Sequence, residues 1–294
     1  MTTIHFKTHS RWHWNLSLRW IRDKSCTMGH PESIKFGWAV GRRTQEEMKK
    51  LHQNFMIENS NSDKVSHHGY HRFYPWFLAH LQGQDINLLE IGIDRTESLK
   101  LWKGYFGKIN LHGIDINTKV FYDKEVSLHR VDQSSDAELE NFAKNIGINF
   151  DVILDDGSHV PDHQMLTINK LWNLVKPGGI YIIEDIETSY WKKSRIYGYR
   201  FNAKKNGIIT NFCDLIDVIN FEFSRKNTKN ALINSFARDV EMVTFAQNCI
   251  ILIKKDNQNF SQFYDRDYRL NTKINYRAIQ NLPKRIFRKL RNFI

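Results

Sequence analysis

Residues 150–159 read FDVILDDGSH: the apolar run Val152-Ile153-Leu154, then two carboxylates, a glycine, a serine and an imidazole. A short apolar run bounded by turn residues reads as a strand buried on both faces. Such strands belong to parallel sheets covered by helices, so the flanking sequence should alternate strand with helix.

That alternation is present. "INLLEIGI" (86–93) reads as a strand, "SLKLWKGYF" (98–106) as a helix and "INLHGIDI" (109–116) as a second strand. "VSLHRVD" (126–132) is a third, with a helix near "DAELENFAKNIG" behind it. After FDVILDD (150–156) come a helix over "HQMLTINKLWNLV" (163–175) and a fifth strand, "GIYIIEDI" (179–186). Right-handed crossovers then give a doubly wound α/β domain, a mostly parallel, Rossmann-like sheet with helices on both faces. "ITNFCDLIDVINFEF" has helical periodicity, and "DVEMVTFA" with "NCIILIKK" forms an antiparallel hairpin around Gln247-Asn248, bringing the sheet to seven strands.

Texture divides the 294 residues into an N-terminal appendage (1–62), the α/β domain (63–256) and a basic tail (257–294). In the appendage "RWHWNLSLRWI" alternates like a half-buried strand and "RTQEEMKKLHQNFM" is helical, a pattern that fits packing or subunit contact and a homo-oligomer. The tail segment "LPKRIFRKLRNFI" is a basic amphipathic helix, either packed on its own domain or touching a membrane surface.

Composition, 41% hydrophobic and 26% charged, is that of a globular protein. Three cysteines, Cys26, Cys213 and Cys249, without a C-x-x-C pair give no disulfide framework and no zinc knuckle. No run approaches the roughly 20 apolar residues of a membrane span, and "MTTIHFKTHSRWHW" lacks the apolar core of a signal peptide. The expectation is a cytoplasmic protein, with peripheral contact at the inner membrane face through the tail. A formal net charge of +11 attracts an anionic partner without naming it.

Ligands of open α/β sheets bind beyond the carboxyl ends of the strands, and each of the five strands ends there in acid: Glu90, Asp115, Asp132, Asp155-Asp156 and Glu184-Asp185. One such acid is ordinarily a helix cap; five along one edge point to a site. Gly92 follows strand one and Asp115 ends strand two, the pairing that lets a ligand approach the backbone and offers ribose hydroxyls an acceptor. The turn, "EIGIDRTES", lacks the further glycines that cradle a pyrophosphate, which favours a nucleoside cofactor without phosphates, S-adenosylmethionine. Glu90, Gly92, Ser98, Asp115, Asp132, Gln133 and Asp155 are its candidate contacts. Asp156, Glu184 and Asp185 are hard oxygen donors that repel one another without a cation, and they select Mg²⁺, Ca²⁺ or Mn²⁺ over zinc. His159 stands above the same edge, and an imidazole titrates near neutral pH as a general base must. Tyr190 and Trp191, in the aromatic and cationic stretch "ETSYWKKSRIYGYRF" (187–201), are candidate acceptor contacts.

With these residues in place, "LLEIGI", "GIDI", "VDQSSD", "DVILDDGSH" and "LWNLVKPGGIYIIEDIETSYW" together resemble the metal-dependent sugar O-methyltransferases of macrolide biosynthesis, of the mycinamicin 2''-hydroxyl type, and the related cephalosporin hydroxylase group. The likeness runs from about Asp63 to Trp191 and begins with "DKVSHHGYHRFY". It implies a class I S-adenosylmethionine-dependent methyltransferase with magnesium on Asp156, Glu184 and Asp185, His159 as base, and a sugar hydroxyl of a glycoside, glycan or carrier-linked sugar as acceptor. Thr96-Glu97 stands where that group has two glycines. Two other readings are a methyltransferase of a catechol-like diol and a non-catalytic basic binding protein on the same fold. No nucleic-acid partner is expected, because the acid edge repels phosphates unless a metal intervenes.

Overall fold

The computed structural model describes residues 49–50, 53–55, 61–93, 97–117, 125–191, 196–197, 207–224 and 226–256. The expected N-terminal strand, Thr96, most of the stretch after Trp191 and the basic tail helix lie outside the described residues.

Seven strands form one sheet: β1 (Ile86–Ile91), β2 (Ile109–Asp115), β3 (Val126–Arg130), β4 (Phe150–Asp155), β5 (Val175–Glu184), β6 (Val240–Ala246) and β7 (Cys249–Lys254). Their order is β3-β2-β1-β4-β5-β7-β6. β1 to β5 are parallel, and β7 enters antiparallel between β5 and β6. The order reverses between β1 and β4, where a doubly wound sheet opens a crevice at its carboxyl edge.

Side chains alternate across this sheet with the period of two that strands impose. Leu89, Ile91, Ile153, Tyr181, Ile183, Ile250 and Leu252 join one buried cluster. Leu88, Val152, Leu154, Ile180, Ile182, Ile251 and Ile253 join the other. Two apolar faces need two helical layers, since each Leu or Ile removed from water contributes roughly 1.5–3 kcal/mol.

Helices α1 (Asp63–Ser66), α2 (Tyr74–Leu78) and α3 (Glu97–Phe106) cover the second face through Val65, Tyr74, Leu78, Trp102 and Phe106, joined by Tyr70 from the turn between α1 and α2 and by Phe55. Helices α4 (Asp136–Asn145) and α5 (Pro161–Leu171) cover the first, with α6 (Ile208–Cys213) and α7 (Leu215–Ile219) and, after the short α8 (Phe221–Ser224), α9 (Ala231–Phe236). α4 starts on a capping Ser135, whose Oγ accepts from the Glu138 amide at 3.3 Å. α5 starts on Pro161, at the position where a missing N–H costs nothing. Among the described residues no helix is long and apolar enough to cross a membrane.

Candidate active site

The crevice at the carboxyl edge is a cavity of about 980 Å³. Gly92, Ser98, Asp115, Asp132, Gln133, Asp156, His159 and Asp185 line it, so most of the candidate residues meet there. Gly92 makes the close approach of β1 and β4 possible. Its φ is +85°, and a Cβ would run into the Asp156 carbonyl and Gly157 Cα. Asp115 is preset as an acceptor: its Oδ2 receives the Ile93 amide at 2.8 Å and its Oδ1 the Asn117 amide at 2.7 Å. Asp132 is held by the Ser134 amide and hydroxyl, which lower its pKa.

Glu90 and Asp155 are fully buried behind the cavity and do not line it. Asp155 accepts from Gln133 Nε2 at 2.7 Å, while Gln133 Oε1 accepts from the Ser158 amide at 2.8 Å, so the pair fixes the turn that follows β4. Burial pushes the Asp155 carboxyl up to about 7 against the pull of Gln133 and His159. Glu90 accepts from the Ser98 hydroxyl at 3.0 Å. Burial raises it to about 7 against the opposing Lys64 ammonium. The two acids expected at the cofactor support its cavity from inside the sheet. The cause is strand pairing and burial: Glu90 and Asp155 still lie within β1 and β4, in the covered part of the sheet, and not in the turns beyond it.

The metal candidates divide in a similar way. Asp156, His159 and Asp185 each offer one ligand atom, and these atoms lie within 4.8 Å of one another. Two carboxylates and an imidazole are a donor set that fits a divalent cation. Glu184 is not one of these three and is almost fully buried, sharing the Lys64 ammonium with Asp156. Its Oε2 accepts from Lys64 Nζ at 2.7 Å and its Oε1 from the Tyr74 hydroxyl. Burial raises the Glu184 pKa, against the lowering effect of Lys64.

Backbone strain aims two of these three side chains. His159 has φ +55° and Asp185 φ +53°, in the left-handed region that costs a non-glycine residue on the order of 1–3 kcal/mol. One side chain ties the two turns together: Thr188 Oγ1 donates to the His159 carbonyl at 2.7 Å and to the Asp185 carbonyl at 3.3 Å. His159 Nε2 then stands 3.7 Å from Asp185 Oδ2. The ring's buried Nδ1 has no hydrogen-bond partner among the described residues.

Asp185 Oδ1 is held from the other side by the Tyr70 hydroxyl and by Asn248 Nδ2, each at 2.8 Å, with His68 Nδ1 at 3.2 Å. Asn248 sits in the two-residue β6–β7 turn with φ +60°, as tight hairpin turns require. Lys64, His68, Tyr70, Tyr74 and Asn248 are the site residues that sequence reasoning missed. Their one signal was position: four lie in "DKVSHHGYHRFY", the block that opens the family resemblance.

A second cleft of about 540 Å³ opens beside Asn248 and includes His67, His68, Glu187 and Tyr190. Tyr190 and Trp191 are exposed, at 61% and 48%.

The strand order, the glycine turn after β1 and the acid edge define the class I methyltransferase fold. The solved structure of MycE methyltransferase from the mycinamycin biosynthetic pathway, in complex with Mg, SAH and mycinamycin VI, shares this fold with a TM-score of 0.59. It is 22% identical, covering 73% of this chain and 57% of that one. A second MycE structure, with Mg and SAH, gives a TM-score of 0.61 at 23% identity, covering 74% and 58%.

Among curated proteins the chain is similar to the 8-demethyl-8-alpha-L-rhamnosyl tetracenomycin-C 2'-O-methyltransferase of Streptomyces olivaceus. The identity is 35% over 139 residues, which is 44% of this chain and 36% of the relative. It is also similar to the mycinamicin VI 2''-O-methyltransferase of Micromonospora griseorubida, 33% identical over 134 residues, covering 40% and 33%. The matches thus span about a third of the length of these curated relatives. No family model matches the chain.

Proposed function

We propose that this protein is an S-adenosylmethionine- and Mg²⁺-dependent O-methyltransferase acting on a sugar hydroxyl. The observation that carries the reading is the convergence of Asp156, His159 and Asp185 in the wall of a cavity that Gly92 and Asp115 also line. Its support from relatives is that those named above are sugar O-methyltransferases and that MycE was solved with Mg and SAH.

When bound, S-adenosylmethionine would supply an electrophilic methyl group, and the cation would lower the pKa of an acceptor hydroxyl. The chain's own residues do the rest. Gly92 lets the cofactor approach the backbone, and Asp115, oriented by two amides, accepts from ribose hydroxyls. Asp132 and Gln133 flank the adenine side. Asp156, Glu184 and Asp185 are the carboxylates that would hold the ion. His159 accepts the hydroxyl proton at a ring nitrogen, a general-base contribution of about 10²–10⁴-fold. Tyr190, which lines the second cleft, and the exposed Trp191 next to it in sequence would offer aromatic faces to the acceptor sugar, with His67, His68, Glu187 and Asn248 as polar groups of that cleft.

The reading is tested by thermal unfolding with S-adenosylhomocysteine, with Mg²⁺ and with EDTA. A ligand that binds only the folded state at about 100 times its Kd adds roughly 2.7 kcal/mol. The expected result is a rise in Tm with S-adenosylhomocysteine and a further rise with Mg²⁺ that EDTA abolishes. No shift with either ligand would favour a non-catalytic binding protein.

A further inference from the structure

Lys64 is completely buried, and its ammonium ends among three carboxylates. Nζ donates to Asp156 Oδ2 and, at 2.7 Å, to Glu184 Oε2, and lies 3.6 Å from Glu90 Oε1. A lysine is almost never buried without a partner, because the charge loses its hydration. Two carboxylates that accept from its Nζ and a third at 3.6 Å offset that loss.

The local backbone is built to deliver it. The Lys64 amide is accepted by Ser62 Oγ at 3.3 Å and Asp63 Oδ1 at 2.8 Å, which fixes the first turn of α1. Tyr70 and Tyr74, from the same stretch, donate to Asp185 and Glu184. One segment outside the sheet therefore grips all three carboxylates expected to hold the divalent ion.

Two cations on one pair of oxygens repel each other, so each weakens the other's hold. Mg²⁺ requires oxygens at about 2.0–2.1 Å, and at such range a neighbouring ammonium is strongly repelled. We infer that Lys64 is the resident counter-cation of the acid edge, keeping Asp156 and Glu184 assembled in the absence of a divalent ion and competing with that ion for them. This rests on the metal-dependent reading above. It adds that ion affinity is set by an exchange of one cation for another, with Lys64 as a positioning residue that opposes binding.

The test measures Mg²⁺ and Mn²⁺ binding by calorimetry in wild type and in Lys64→Met, which keeps the length of the chain and removes the charge. Lys64→Met is expected to bind Mg²⁺ at least about tenfold tighter than wild type, since a unit charge next to a divalent ion is gone. It should also depend on Mg²⁺ for stability far more than wild type does. A Lys64→Met protein that folds only with Mg²⁺ is the same result in stronger form. Equal or weaker binding by Lys64→Met would overturn the inference, because a merely structural lysine would leave ion affinity unchanged or reduced.

Hydrogen exchange of the peptide covering residues 62–74 in wild type decides the matter without any variant. Displacement of Nζ by saturating Mg²⁺ should speed exchange there, whereas slowed or unchanged exchange would contradict competition. Absence of Mg²⁺ and Mn²⁺ binding by both proteins would instead sink the metal reading itself, and this inference with it.

Discussion

At the scale of the residue, the chemistry divides between side chains that face the cavity and those that hold them. His159 faces it, strained into the left-handed region and tied through Thr188 to the strained Asp185. His159→Ala should therefore lower kcat by about 10²–10⁴-fold while leaving S-adenosylhomocysteine affinity nearly unchanged. Steady-state kinetics beside calorimetry reads the two effects separately, and unchanged turnover would remove His159 from the mechanism. The sequence made Asp156 and His159 legible because they follow an apolar strand directly. It did not separate Glu184 from Asp185. Glu184 is the last residue of β5 and meets Lys64 and Tyr74, whereas Asp185 lies just past the strand and its left-handed φ turns it toward His159, so the two carboxylates reach different surroundings. Lys64 was invisible for another reason. Its partners lie 92 and 120 positions away, and nothing in "DKVS" alone marks a buried ammonium.

At the scale of the element, apolar periodicity gave the strands and the order in which helices separate them. The hairpin around Gln247-Asn248 formed as expected. Periodicity overreached at "ITNFCDLIDVINFEF", expected as one helix and found as α6, α7 and α8. Asp214 and Asn220 mark the breaks. Asn220 Nδ2 donates to the Ile216 carbonyl at 2.8 Å, a side chain competing with the helix for its own backbone groups. On the opposite edge, β2 and β3 carry a stacked pair, His112 and His129, with ring centroids 5.7 Å apart. Partial burial lowers the pKa of His112, and the neighbouring His129 lowers it further; burial likewise lowers that of His129. The folded state thus takes up these protons less readily than the unfolded chain, whose histidines titrate near 6.5. Their contribution is present above that value and is lost as pH falls through it toward the depressed folded values. Unfolding midpoints in urea should fall as pH drops from about 7 to 5, and His112→Phe should flatten that slope. An unaltered slope would assign the acid sensitivity to other groups.

At the scale of the whole molecule, the fold was legible because both faces of the sheet are covered. Each strand then reads as an apolar run, and each run ends at the same edge in a residue that chemistry can use. The support of that edge was less legible, because it arrives from three directions: the 62–74 segment, the turn after β5 and the β6–β7 turn. Their meeting at Asp185, through Tyr70, Thr188 and Asn248, is a product of topology and not of local sequence. The central claim is transfer of a methyl group to a sugar hydroxyl, and mass spectrometry reads it directly. Purified protein is incubated with S-adenosylmethionine, Mg²⁺ and a panel of rhamnosylated and other glycosylated acceptors, beside catechol controls. The account predicts a glycoside whose mass rises by one methylene, a gain abolished by EDTA and by His159→Ala. Methylation of catechols alone, or of no acceptor in a protein that binds both S-adenosylhomocysteine and Mg²⁺, would contradict it.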